Sequence, residues 1–249
     1  MKEHPILFTG EMVRAILAGN KTQTRRIVRG QEHFDKTVDL TGAIPETRGK
    51  YEFLRLANKD EFGGSIHNPY GVPGDQLWVR ETHAYELWPS EFGDMPARND
   101  WRPIFHQVPE DIDDEEFWLI PHYRATDPEP ELCYDEQPNG EPCCKWRPSI
   151  HMHRWASRIQ LEVTKVRVER VRDISEEDAV AEGLRADERG FYSGTEKKNR
   201  FYSKSAKETY PLLWDSINGK SHPWENNPWV WVIEFKVLVP EYLNLAVKQ

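Results

Sequence analysis

The stretch IQLEVTKVRVERV, residues 159 to 171, constrains the fold more than any other. Ile159, Leu161 and Val163 alternate with polar residues, and Val166 and Val168 resume the alternation after a one-residue shift. A period of two specifies a strand with one buried face, and the shift reads as a bulge. A strand needs ladder partners, because its backbone groups must be paired. PILF, TRRIV, QLWVRETHAYEL, IPHYRAT and PWVWVIEFKVLV read as the other strands. QLWVRETHAYEL follows the turn-rich NPYGVPGD and puts Leu77, Val79 and Glu81 on one face, with Trp78, Arg80 and Thr82 on the other.

Three helices fall between the strands. GEMVRAILAG gives about two turns with Met12, Ile16 and Leu17 as its apolar stripe and Gly19 as its C-cap. DISEEDAVAEGL has Ser175 at the N-cap, Asp178 in the capping-box place and Gly183 as its end. KETYPLLWDSINGK reads as helical despite Pro211. DPEPELCYDEQPNGEPCC reads as loop, and WRPSIHMHRWASR as a compact aromatic-basic segment. With no βαβα alternation and no internal repeat, the order of elements predicts an α+β fold built on a small curved or barrel-like sheet.

Charge and cysteine content exclude several classes. Forty-two acids against 33 Lys and Arg leave a formal net charge of -9, which argues against a protein coated in basic charge for indiscriminate DNA binding and leaves a local basic pocket open. No apolar run approaches the roughly 18 residues of a membrane span, and MKEHPILFTGEM lacks the apolar core of a signal peptide. Cys133, Cys143 and Cys144 are an odd set without C-x-x-C spacing. Even with His122 or His151 they predict neither a disulfide framework nor a metal site, so a reduced cytoplasm is expected, with no metal or cofactor. P-loop, dinucleotide, G-x-S-x-G and H-E-x-x-H motifs are all absent from the sequence.

Four constellations can carry chemistry. In KTQTRR, Thr22, Thr24 and Arg26 share one strand face and Gln23 and Arg25 the other, with Lys21 at the junction. A desolvated Lys21 turned toward Thr24 can lose its proton and activate that hydroxyl. The same residues also suit a lysine capping helix carbonyls, followed by arginines on an exposed strand. In GDQLWVRET, Glu81 either faces a pocket that holds Lys21 or forms a salt-bridged strand pair with a cation such as Arg80. Glu182, in DAVAEG, is either part of that site or a solvated helix carboxylate. Trp146, Arg154 and Trp155 combine stacking surfaces with cations, the pairing that single-stranded nucleic acid favours, or they anchor a loop that plugs a barrel end.

Taken together, ILAGNKTQTRR, YGVPGDQLWVRET, ISEEDAVAEGL and the closing WVIEF strand resemble the ASCH domain, a branch of the PUA-like β-barrel superfamily. The whole chain is similar to phage and prophage proteins of that type, apart from insertions near 30–65, 86–120 and 186–204. The resemblance implies one domain over residues 1–249, a small barrel with flanking short helices and long loop insertions, and a bacterial-host cytoplasm. It also implies binding of RNA, single-stranded nucleic acid or a modified nucleotide. Some small ASCH proteins are amidohydrolases that deacetylate N4-acetylcytidine with a lysine, a threonine and a glutamate, and another is a ribonuclease. The ILAG-x-KT-x-T stretch matches their lysine and threonine at Lys21 and Thr24, and the short helix matches their glutamate at Glu182. The double arginine after the threonine departs from the small hydrolases. Arg25 and Arg26, with Arg80, are expected to hold phosphate, and Glu81, Trp146, Arg154 and Trp155 to contact the ligand. The alternative to an enzyme is a reader that binds without turnover, or a phage protein that binds another protein.

Overall fold

The computed structural model of the chain describes residues 1–31, 40, 44–45, 50–55, 58–89, 105–106, 117–127, 135–136, 142–143, 145–193 and 201–238. At 44–45, 50–55, 58–64, 86–89, 105–106, 117–120, 135–136, 142–143 and 201 the backbone alone is described. Cys133 and Cys144 lie outside the described residues.

Sixteen strands are described: β1 (Glu3–Leu7), β2 (Gln23–Ile27), β3 (Ile44–Pro45), β4 (Lys50–Arg55), β5 (Asn58–His67), β6 (Gln76–Arg80), β7 (His83–Pro89) and β8 (Phe105–His106), then β9 (Phe117–Tyr123), β10 (Asp135–Glu136), β11 (Pro142–Cys143), β12 (Gln160–Arg170), β13 (Arg185–Asp187), β14 (Gly190–Ser193), β15 (Phe201–Ser203) and β16 (Trp229–Leu238). The helices are α1 (Gly10–Leu17), α2 (Glu176–Ala181) and α3 (Ala206–Asn218). The fold is thus mixed α and β, sheet-rich with few helices. Its largest sheet has the order β1-β6-β12-β16-β2, which is open among the described residues, with β1 and β2 at its edges. The chain divides into two compact units: Met1–His4, Ala15–Leu77 and Leu161–Val237 form the first, and Pro5–Arg14, Trp78–Gln160 and Leu238–Gln249 the second.

In the first unit, β16 explains its own sequence. Trp229 to Ile233 are buried without alternation, as befits a strand covered on both faces. It pairs antiparallel with β2, setting Ile233 opposite Thr24 and Val232 opposite Arg25. In β12 Leu161 and Val163 are buried and then Val168, so the burial changes parity where the sequence shifts by one. Val171, Ile174, Ala179, Tyr210, Trp214, Val230 and Val232 pack into one core. Ala206, Tyr210 and Trp214, spaced by four, are the face α3 contributes. Pro211 stands within that helix, and the carbonyl it cannot bond belongs to exposed Lys207. Ser205 and Ser175 cap α3 and α2 by accepting from the backbone N–H groups of Glu208 and Asp178.

Several sequence expectations are corrected. The stretch near 30–65 carries β3, β4 and β5 as a three-stranded antiparallel sheet, and the stretch near 186–204 carries β13, β14 and β15 as another. Both are polar, so neither has the alternating apolar face that marks a strand. Within the loop-like 128–144 segment, β10 and β11 form a two-residue ladder. The buried face of α1 is Val13 and Ile16, whereas Leu17 is exposed and Met12 half-buried. The strand expected over 76–87 breaks at Glu81 and Thr82 into β6 and β7.

In the second unit, β7, β9 and β8 form an antiparallel sheet. Tyr123, Met152 and Ala156 pack beneath half-buried Tyr85 and Trp155. Residues 149–151 and 154–156 are single 3₁₀ turns, which accounts for the compactness of the WRPSIHMHRWASR segment. Among the described residues, no helix is long and apolar enough to cross a membrane.

Candidate functional site

Lys21 reaches its place because α1 ends abruptly. Gly19 takes a left-handed conformation (φ 74°), and the N–H groups of Asn20 and Lys21 both donate to the Ala15 carbonyl. Thr22 N–H then donates to the Ala181 carbonyl, so the chain entering β2 runs against the end of α2. Lys21 and Glu182 form an isolated antiparallel bridge. Gly183 permits this approach: a Cβ there would stand 2.9 Å from the Lys21 Cβ, and its φ is 86°.

The Lys21 amine is 1% exposed and donates to Glu182 Oε2 at 2.7 Å and to the Glu182 carbonyl at 2.8 Å. Burial pushes the Lys21 ammonium below its ordinary value, and the neighbouring Glu182 carboxylate offsets this only in part. The charges of Arg25 and Arg26 push it the same way as burial. Thr24 lies on β2 with 1% of its surface exposed. Successive β2 residues leave opposite faces, so Thr24 does not share the face of Gln23 and Arg25.

Arg25 departs from expectation. Its side chain is 0% exposed, and its guanidinium donates to Glu169 at 2.5 Å, Asp178 at 2.9 Å and Glu182 Oε1 at 3.3 Å. Burial opposes its charge, but Glu182, Tyr210 and Glu169 more than compensate and hold the guanidinium above its ordinary value. Gln23 belongs to the same cluster, its amide nitrogen 2.9 Å from Asp178 and its oxygen 2.6 Å from Arg25 Nη1. Arg167 closes the far side, bonding Asp178 at 2.6 Å, Glu169 at 3.1 Å and Glu234. The phosphate-holding role expected of Arg25 therefore meets a side chain already engaged by carboxylates. Arg26 is half-buried, and desolvation lowers its guanidinium pKa despite the fields of Tyr70, Glu182 and Tyr210.

The remaining candidates belong to the second unit. Glu81 is 1% exposed, and its carboxylate accepts hydrogen bonds from Arg158 at 2.9 and 3.0 Å. Glu81 thus pairs with Arg158, the salt-bridged arrangement the sequence left open for it, and the carboxylate bonded to Lys21 is Glu182. Arg80 donates to the Ser149 carbonyl at 3.1 Å and lies over the Trp78 ring at 5.3 Å. Trp146 is half-buried with Arg124 5.8 Å from its ring centre. Arg154 is half-buried in the second 3₁₀ turn. Trp155 lies 5.1 Å from Tyr85 and is stacked with His153 at 6.3 Å. Arg147, exposed, stands 5.4 Å over Tyr85.

Sequence reasoning missed Gln23, Glu169, Asp178, Arg167 and Tyr210 as members of the Lys21 neighbourhood. The available signal was periodicity: Arg167 and Glu169 share one face of β12, and Asp178 lies four residues before Glu182. Among the described residues, no group of three His, Cys, Asp or Glu side chains is placed to hold a metal ion. No protein-family model, no curated protein and no solved structure matches the chain.

Proposed function

We propose that the chain is an ASCH-type protein of the PUA-like class that hydrolyses the amide of an N4-acylated cytosine, carried by a nucleotide or a nucleic-acid strand. The observation that carries this reading is the buried Lys21 amine, 2.7 Å from Glu182 and held below its ordinary pKa by desolvation. An amine so placed gives up its own proton more readily than an exposed lysine and so is better able to act as a base.

In this reading the Thr24 oxygen attacks the acyl carbon while Lys21 takes the hydroxyl proton. The C–N bond then breaks, and Lys21 returns the proton to the departing cytosine N4. Lys21 then takes a proton from water, whose oxygen attacks the acyl carbon of the threonine ester; the bond to the Thr24 oxygen breaks, that proton passes to Thr24, and the carboxylic acid leaves. The sum is amide plus water to amine plus acid.

The test is a panel of N4-acetylcytidine, its 5′-monophosphate and a short RNA that contains it, with acetate release measured by chromatography. Wild type should release acetate from at least one member, and Lys21→Ala and Thr24→Val should lose at least about a hundredfold, the lower end of a general-base contribution. No turnover of any member by wild type, or full activity in Lys21→Ala, sinks the hydrolase.

A reader of single-stranded RNA is the second reading, favoured by residues 145–158 of the second unit. That run holds Lys145, Arg147, Arg154, Arg158, His151 and His153 and no acid, in a chain of net charge -9. Lys145, Arg147, His151 and His153 are exposed, with Arg147 over the Tyr85 ring and His153 stacked with Trp155. Base stacking with phosphate contact suits that composition. Labelled oligouridine should bind and weaken steeply with added salt, and binding indifferent to salt removes this reading.

A further inference from the structure

A guanidinium beside a second arginine on a strand suggests an anion binder, yet the Arg25 side chain is fully enclosed among the protein's own carboxylates. Its terminal nitrogens are divided. One is held by Glu169 and Asp178, at 2.5 and 2.9 Å, and the other meets Glu182 Oε1 at 3.3 Å. Asp178 is itself fixed by Arg167 at 2.6 Å. The second oxygen of Glu182 is the one that meets Lys21. Glu182 is therefore shared between Arg25 on β2 and Lys21 just before it.

We propose that Arg25 is a positioning residue: anchored by Glu169 and Asp178, it holds one oxygen of Glu182 and leaves Lys21 only the other. This rests on the reading of Lys21 as the proton acceptor of the site. With Arg25 in place, the Lys21 ammonium has half of a carboxylate and faces two nearby guanidinium charges, Arg25 and Arg26. With Arg25 neutralised, Glu182 turns wholly to Lys21 and one repelling cation is gone, so the ammonium form gains. With Glu169 neutralised, Arg25 bears more heavily on Glu182 and the neighbourhood loses an anion, so the ammonium form loses. The two changes act in opposite directions, which a purely structural role of the cluster does not produce.

The other groups facing the pair are accounted for. Tyr210 of α3 stays protonated, since burial first and Glu182 second raise its phenol well above the ordinary value. Arg167 stays charged on Asp178, Glu169 and Glu234. Arg26 faces Tyr70, Glu182 and Tyr210.

The experiment is a pH titration of the full chain labelled with ¹³C-lysine. The Lys21 Cε resonance is assigned by its loss in Lys21→Arg. Arg25→Gln should raise the Lys21 midpoint by about one pH unit, a roughly tenfold change in the ratio of ammonium to amine, and Glu169→Gln should lower it. An unchanged or lowered midpoint in folded Arg25→Gln overturns the proposal. If Arg25→Gln does not fold, Glu169→Gln decides, and an unchanged or raised midpoint overturns it. The titration needs no substrate. Wild type that titrates as expected yet hydrolyses nothing therefore removes the hydrolase and leaves the Arg25 assignment standing. An active wild type whose Lys21 midpoint does not follow these variants keeps the hydrolase and removes Arg25.

Discussion

Replacing Arg158 by Met exposes the energetics of the second unit directly. Glu81 is 1% exposed and its carboxylate accepts two hydrogen bonds from Arg158, while the methionine keeps the apolar stem and loses the guanidinium. A buried carboxylate left without its cation is expected to cost about 3–5 kcal/mol. It has an escape, which is to take up a proton, and that escape depends on pH. Burial already pushes the Glu81 carboxyl above its ordinary 4.5, against the pull of Arg158. A carboxyl with a raised folded-state pKa binds its proton more readily when folded, so its destabilisation is full above that pKa and disappears below the unfolded value.

Protonating Glu81 costs about 1.4 kcal/mol for each pH unit above its unfolded value, which is about 4 kcal/mol near pH 7.5 and under about 1 kcal/mol near pH 5. Those figures cap the charge penalty in the variant. The lost stacking of Arg158 over the Tyr123 ring, at 4.0 Å, adds a part of about 1 kcal/mol that does not vary with pH. Arg158→Met should therefore lose about 3 kcal/mol more stability near pH 7.5 than near pH 5, both relative to wild type. Urea unfolding followed by tryptophan fluorescence measures the difference. The double variant Glu81→Gln/Arg158→Met should abolish it, having no carboxylate left to titrate. A penalty equal at the two pH values, to within about 1 kcal/mol, refutes the account of Glu81 as a buried charge.

Other outcomes follow from the first unit. Lys21→Met should eliminate hydrolysis yet cost less stability near pH 7.5 than Arg158→Met, because Glu182 keeps Arg25 as a second cation; paired urea melts compare the two. Gly183→Ala should destabilise by at least about 1 kcal/mol, since alanine is strained at φ 86° and its Cβ would press on Lys21, and a thermal melt reads the loss. Ser175→Ala removes the hydrogen bond accepted from Asp178 N–H at 3.1 Å and should cost about 1 kcal/mol in the same melt.

What the sequence made legible is local. The alternation in residues 159–168, the unbroken apolar run of 229–233 and the Ser175 cap each fix a face or an end within a few residues, and the structure has β12, β16 and α2 there. The small sheets of β3–β5 and β13–β15 lie in polar stretches, where pairing leaves no apolar alternation to read. Arg25 illustrates the second kind of loss. Its three carboxylates lie 144, 153 and 157 residues away in sequence, so KTQTRR by itself cannot distinguish a buried cation from one facing an anionic ligand. In α1 the expected stripe of Met12, Ile16 and Leu17 holds only at Ile16, and the packed face takes Val13 instead.

Two of the buried carboxylates, Glu81 and Glu182, are held in different ways. Glu81 and Arg158 meet through two parallel hydrogen bonds. Glu182 divides its oxygens between an arginine held by further acids and a lysine destabilised as a cation. Burying that many charges is a poor route to stability, because well-packed apolar residues often serve as well or better. A chain selected only to fold gains little from Lys21 at that position. A chain that must move a proton there gains an amine whose protonation balance is set by its neighbours, with Thr24 three residues further along the chain.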